Sequence, residues 1–206
     1  KIAKTKKPMI ISTGMANSEE IAEAIEAAKT GGCDELAILH CVSGYPAPAS
    51  DYNLRTITDM IKKFNVVIGI SDHTLDNITA IASIPLGAAI IEKHFTIDRS
   101  RGGPDDSFSL EENEMKELCK SSKIAWNSIG SVSYERKNSE KTNLKFRRSL
   151  YFVKDMKAGE IISTENVRSI RPGYGLPPKE LENILGKVVL RDVSFGTAVT
   201  SDLIKD

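Results

Sequence analysis

The chain has three histidines, His40, His73 and His94, and each closes a short apolar run. His73 and His94 are 94 − 73 = 21 residues apart. That spacing suits the ends of two adjacent parallel strands joined by a crossover helix. Neighbouring strands lie about 4.8 Å apart, so two imidazoles at equivalent positions can share one metal ion. Two protein ligands leave coordination positions open, as a Lewis acid or a carrier of water requires. The competing reading is two unrelated polar residues at strand ends. His40 opens the polar turn His40-Cys41-Val42-Ser43-Gly44-Tyr45. A packed, hydrogen-bonded core histidine is favoured there over a helper in the chemistry.

Other polar residues cluster after the same runs. The hydroxyls of Ser43, Ser71 and Thr74 could bind phosphate or carboxylate, and helix N-capping by Ser71 or Asp72 is equally open. Within Arg99-Ser100-Arg101-Gly102-Gly103-Pro104-Asp105-Asp106, Arg99 or Arg101 could grip an anion and Asp105 a sugar hydroxyl. A solvated loop explains the same segment. Arg171-Pro172-Gly173-Tyr174-Gly175 is a stiff turn presenting one guanidinium, and from pattern alone a surface turn is preferred.

These residues need elements to place them. Met9–Ser12 reads as a buried strand, followed by a helix with Asn17 and Glu20 in capping-box positions. Ile21, Ala24, Ile25 and Ala28 give that helix one buried face, and Gly31-Gly32 stops it. The unit recurs: strand 36–39, helix 54–64, strand 66–70, a helix through Ile78 and Ala82, then strand 88–92. A fourth helix is expected from a capping box at Ser109 and Glu112, with Met115, Leu118, Cys119 and Trp126 on its core face. Repeated β-then-α units with near-continuous apolar strands mean a parallel sheet covered by helices. No GxGxxG follows a strand, which weighs against a dinucleotide-binding sheet. In a (β/α)8 barrel the polar clusters would share the rim where active sites form. Four units make half a barrel.

Residues 131–145 are polar and charged and read as a linker. Short strands and turns follow, beginning with a strand at 150–153. Asp155, Met156, Gly159, Ile162 and Ser163 match Asp192, Val193, Gly196, Val199 and Thr200 at a constant offset of 192 − 155 = 37, and Val167 matches Leu203 one residue out of step. The repeat predicts a small pseudo-symmetric β-rich domain, near the lower size limit for folding alone.

Composition bounds the rest. Lys and Arg together number 28, as do Asp and Glu. That balance argues against nucleic acid or an anionic membrane as the main partner, while leaving room for a local basic pocket. No apolar run approaches the roughly 20 residues that span a bilayer. Lys1–Lys7 is basic but no apolar signal-peptide core follows. The first residue is Lys and a core-type strand comes almost at once, which suggests a missing upstream part. Cys33, Cys41 and Cys119 form no CxxC pair. They read as free, buried thiols in a reducing cytoplasm.

The motifs together are specific. Ser12-Thr13-Gly14-Met15, His40-Cys41 with Tyr45-Pro46-x-Pro48, Ser71-Asp72-His73-Thr74, Glu92-Lys93-His94-Phe95 and Gly103-Pro104-Asp105 occur in one order. That order resembles the sialic acid synthase family, which includes N-acetylneuraminate, legionaminate and pseudaminate synthases. The C-terminal part, with Arg171-Pro172-Gly173-x-Gly175, is similar to that family's antifreeze-like SAF domain. The likeness covers essentially the whole chain.

The resemblance implies the second half of a (β/α)8 TIM barrel at 1–130, a linker at 131–146 and a SAF domain at 147–206. It implies a cytoplasmic enzyme that condenses phosphoenolpyruvate with an N-acetylated amino-sugar aldehyde such as N-acetylmannosamine, releasing phosphate by C–O cleavage. His73 and His94 match the family's ligands for a divalent metal, usually manganese, with magnesium or cobalt also compatible. Ser43 and Ser71 match contacts to phosphoenolpyruvate, Tyr45 and Asp105 positions near the sugar, and Arg171 the arginine that reaches the N-acyl group. A swapped homodimer, in which one subunit's cap covers the other's site, is implied as well. Position 43 is Asn in some members and Ser here. The family's phosphoenolpyruvate-gripping lysines and catalytic glutamate belong to the first half-barrel and have no match in this chain. Imidazoles bind metals when neutral, so activity is expected to fall towards about pH 5. Three rivals remain: a pseudaminic or legionaminic acid synthase, a sister phosphoenolpyruvate aldol synthase, and a non-catalytic carbohydrate- or ice-binding SAF protein. The C-terminal repeat argues against the aldol synthase, and the His73–His94 pair against the binding protein.

Overall fold

A computed structural model describes residues 1–205, which form two compact units, Lys1–Ser131 and the residues from Val132 onward. The first unit alternates strand and helix: β1 (Met9–Ser12), α1 (Ser18–Thr30), β2 (Leu36–Cys41), α2 (Arg55–Phe64), β3 (Val67–Ser71), α3 (Ile78–Ser83), β4 (Ile91–Glu92) and α4 (Glu112–Ile129). All pairings are parallel and the order is β1-β2-β3-β4. This is the curled half-barrel that the family resemblance implied; the alternation alone fitted a doubly wound sheet as well.

Local chemistry explains the elements. Asn17 Oδ1 accepts from Glu20 N–H at 3.0 Å and Glu20 Oε2 accepts from Asn17 N–H at 2.8 Å, so the expected capping box starts α1. Ile25 and Ala28 are its buried residues. The core between sheet and helices includes Ile38, Ile57, Ile68 and Ile70, all essentially inaccessible. Each such side chain contributes about 1.5–3 kcal/mol on burial. Gly69 sits where no side chain fits, since a Cβ would lie 2.5 Å from Ile90 O and 2.6 Å from Leu39 Cδ2.

Three local expectations need correction. The capping box of α4 is Glu111 with Glu114, because Ser109 Oγ donates to Asp105 O at 2.7 Å and is spent there. Cys119 and Trp126 are exposed, along the open side of α4, whereas Leu118 is buried. β4 is a two-residue strand, because the ladder with β3 pairs only Ile70 with Ile91 and Ser71 with Glu92.

The second unit begins with exposed residues that include a short α5 (Asn138–Lys141) and a 3-10 turn (Thr142–Phe146), so the stretch expected as a linker carries helical turns. β5 (Ser149–Phe152) pairs antiparallel with β6 (Val167–Ile170). After α6 (Leu181–Ile184), β7 (Val188–Val189) pairs antiparallel with β8 (Ile204–Lys205). Leu150, Phe152, Ile162, Val167, Val189 and Val199 fill its core.

Candidate functional site at the end of the parallel sheet

The last register pair of β3 and β4 is Ser71 with Glu92. Two residues further along each chain stand His73 and His94, so the register carried onward sets them opposite one another. Their ring centroids are 5.2 Å apart with planes at 69°. Side chains alternate across a strand, and the contacts follow that rule. Ser71, His73, Glu92 and His94 gather on one side: Ser71 Oγ donates to Glu92 Oε2 at 2.6 Å and lies 3.4 Å from His73 Nε2. Asp72 and Lys93 meet on the other, with Lys93 Nζ 3.0 Å from Asp72 Oδ2.

His73 is held on every side that is not left to a ligand. Its N–H donates to Tyr52 Oη at 2.7 Å and its carbonyl accepts from Ala47 N–H at 3.0 Å. Its Nδ1 is 2.8 Å from Val42 O. A carbonyl only accepts, so Nδ1 carries the proton and the neutral ring presents its lone pair at Nε2. Tyr52 is fully buried and its hydroxyl donates to Ser71 O at 3.0 Å. Burial pushes the Tyr52 phenol well above its ordinary value, so it stays protonated. His40 accepts its favoured role: its Nε2 is 2.5 Å from Tyr52 O and its ring meets the Tyr52 ring edge-on.

His94 is looser. Its Nδ1 lies 3.4 Å from Asp105 Oδ2, and Phe108 packs at 5.0 Å between ring centroids. Tyr45 lies over both imidazoles, 4.3 Å from His73 and 5.8 Å from His94 by centroids. Ser43 is exposed on the loop after β2, and its Oγ lies 3.5 Å from where a Cβ on Gly14 would stand, which puts it beside the turn after β1. Thr74 N–H is taken by Asp72 Oδ1 at 2.9 Å, and neither Ser71 nor Asp72 caps α3. The structure thus brings together Ser71, His73, His94, Tyr45 and Asp105. Arg171 is exposed after β6 in the second unit. Arg99 is turned to structure: its Nε donates to Ser109 O at 2.8 Å and its guanidinium pairs with Glu114.

The sequence reading missed Tyr52, Glu92 and the Asp72–Lys93 pair. A signal existed for the last, since Asp72 and Lys93, opposite in charge, precede His73 and His94 at matched register positions. Among the described residues no cluster of three or more His, Cys, Asp and Glu forms a ready metal site. The donor chemistry nevertheless fits a divalent first-row ion: two convergent imidazoles, one with its tautomer fixed, and a carboxylate beside the other.

The NeuB family model matches residues 1–134. The chain belongs to the NeuB family. The SAF domain model matches residues 147–205, so a NeuB segment is followed by a SAF domain. The chain is 41% identical over 198 residues to the pseudaminic acid synthase of Campylobacter jejuni subsp. jejuni serotype O:23/36, covering 96% of this chain and 58% of that protein. It is 38% identical over 195 residues to the N,N'-diacetyllegionaminic acid synthase of Campylobacter jejuni serotype O:2, covering 93% and 58%. Among solved structures, the N-acetylneuraminic acid synthetase of Leptospira borgpetersenii aligns with a TM-score of 0.63 and 32% identity over 71% of this chain and 51% of that one. The chain therefore spans less than two thirds of the length of these relatives. Among the described residues no helix is long and apolar enough to cross a membrane.

Proposed function

We propose that this chain supplies the metal-binding rim and the SAF domain of a nonulosonic acid synthase. The reaction is the condensation of phosphoenolpyruvate with the aldehyde of an N-acetylated amino sugar, with release of phosphate. The observation that carries the reading is the His73–His94 pair at matched strand ends, with His73 Nδ1 tied to Val42 O at 2.8 Å. The names of the relatives support the same class.

His73 through Nε2 and His94 would hold a divalent ion, manganese in the first instance. Such an ion supplies electrophilic polarisation to a carbonyl oxygen. The methylene carbon of phosphoenolpyruvate bonds to the aldehyde carbon, water adds to the former enol carbon, and the C–O bond to phosphate breaks. The chain's own residues orient the partners. Tyr45 offers an aromatic face over the imidazoles, Asp105 accepts from a sugar hydroxyl, and Ser43 donates to an anionic oxygen. Ser71 must release Glu92 before its single proton can serve an anion, because the 2.6 Å bond already uses it. Arg171 serves the N-acyl group from the SAF domain, in a homodimer whose caps cover partner sites. A cytoplasmic setting fits the three free thiols.

The test is phosphate release by the full-length protein with phosphoenolpyruvate and manganese. N-acetylmannosamine and the di-N-acetylated precursors of pseudaminic and legionaminic acids are supplied separately. Release with one sugar, abolished by His73→Ala, supports the reading and names the substrate. A folded, manganese-loaded protein that releases no phosphate with any of them overturns it in favour of a binding-only member.

A further inference from the structure

The Asp72–Lys93 pair lies in the positions immediately before the two histidines. Both side chains are almost wholly buried, at 0% and 1% exposure. The three ammonium protons of Lys93 each have an acceptor: Asp72 Oδ2 at 3.0 Å, Thr74 O at 2.7 Å and Asp76 O at 2.8 Å. The second oxygen of Asp72 accepts from Thr74 N–H at 2.9 Å. One side chain of the β4 segment thus fastens the whole turn that leads out of β3. The backbone ladder between these strands ends just before, with Asp72 N–H to Glu92 O at 2.9 Å. Beyond that bond, among the described residues, no main-chain hydrogen bond ties residue 73 to residue 94.

A buried ion pair is a poor source of stability, because desolvating two charges offsets most of their attraction. What such a pair does supply is a fixed distance and direction between the chain segments bearing it. Removing it would leave His73 clamped by Tyr52, Ala47 and Val42, while His94 would keep the 2.8 Å bond from Leu110 N–H to its carbonyl, which does not run to the turn after β3, and its ring would keep a 3.4 Å approach to Asp105 and ring contacts. The imidazole separation would then be free to drift.

We propose that Asp72 and Lys93 are positioning residues, a buried spacer that continues the ended ladder and sets the separation and orientation of His73 and His94. They act through the two imidazoles and touch no substrate. The first readout rests on the metal reading above; the second does not.

The experiment uses the full-length protein with Asp72→Leu/Lys93→Met, which removes both charges together and avoids stranding one. Manganese alone is titrated and followed by electron paramagnetic resonance, with nitrogen hyperfine couplings counting the bound imidazoles. Histidine ring signals are recorded separately by NMR without metal. The expected result is a folded variant with manganese affinity lowered about 10–100-fold, as for other residues that orient metal ligands, and with displaced His94 ring signals. Unchanged affinity, couplings and ring signals in a folded variant overturn the proposal. A parent protein with no imidazole-bound manganese sinks the metal reading alone, and the metal-free ring signals still decide the spacer. If the double variant does not fold, Lys93→Arg poses the same question, because a planar guanidinium cannot reproduce three tetrahedrally disposed bonds. Ring signals and affinity unaltered by that change likewise overturn it.

Discussion

Asp155 and Asp192 each close the other's turn. Asp155 Oδ1 accepts from Phe195 N–H at 2.6 Å, and Asp192 Oδ1 accepts from Ala158 N–H at 3.0 Å. Both pairs of residues are related by the 37-residue offset. The main chain repeats the exchange: Met156 N–H to Val193 O is 2.8 Å and Val193 N–H to Met156 O is 2.9 Å. Gly159 and Gly196 complete the turns at φ of 88° and 82°, a region that side chains avoid.

The two halves differ in charge at Lys157, where the second has Ser194, and at Glu160, where it has Thr197. Lys157 pairs with Asp192 at 2.7 Å, which together with the Ala158 N–H holds the Asp192 carboxyl below its ordinary 3.8. A depressed folded value gives stability that is present above pH 3.8 and fades as pH falls through the folded value. Carboxyl NMR titration should place Asp192 below the ordinary aspartate range, and Lys157→Met should move it back up.

Gly69→Ala should destabilise the first unit by about 1–3 kcal/mol. The new Cβ would meet Ile90 O at 2.5 Å, and a backbone carbonyl cannot swing aside as a side-chain tip can. Urea unfolding followed by circular dichroism measures the loss.

Tyr52→Phe should cost about 1–3 kcal/mol by leaving the buried His73 N–H without an acceptor. Ser71 O loses its donor in the same change. The manganese affinity of the full-length protein should weaken with it, because the His73 peptide is freed at one of its two ends. Unfolding and titration on the same samples check both effects.

Of the three thiols, Cys119 alone should react rapidly with a thiol reagent in this folded chain, since Cys33 and Cys41 are buried. Cys119 and Trp126 line one apolar groove with Met115 and Ile91. A bulky label there should therefore also shift Trp126 fluorescence. Counting fast and slow thiols before and after denaturation tests the assignment.

Much of this was legible because it is local or periodic. Asn17 and Glu20 announce a capping box by spacing alone, and the 37-residue repeat announces the paired turns. The histidines were legible as strand-end residues, since each follows an apolar run. Their holders were not. Val42 O, Ala47 N and Tyr52 Oη reach His73 only because the loop after β2 folds over the end of β3. No short-range pattern encodes that approach. The misplaced box on α4 has the same origin: Ser109–Glu112 and Glu111–Glu114 share one spacing, and a bond from Ser109 back to Asp105 decided between them. Trp126 looked like core by helical period, but the core does not extend to that stretch of α4.

Among the described residues the parallel sheet has β1 at one edge and β4 at the other, with Ile10 61% exposed. A strand with only one neighbour keeps a row of amides and carbonyls turned outward, ready to accept an extended peptide. Handled alone, the first unit is therefore a template for strand addition. As concentration rises it should recruit whatever extended chain is nearest, including its own.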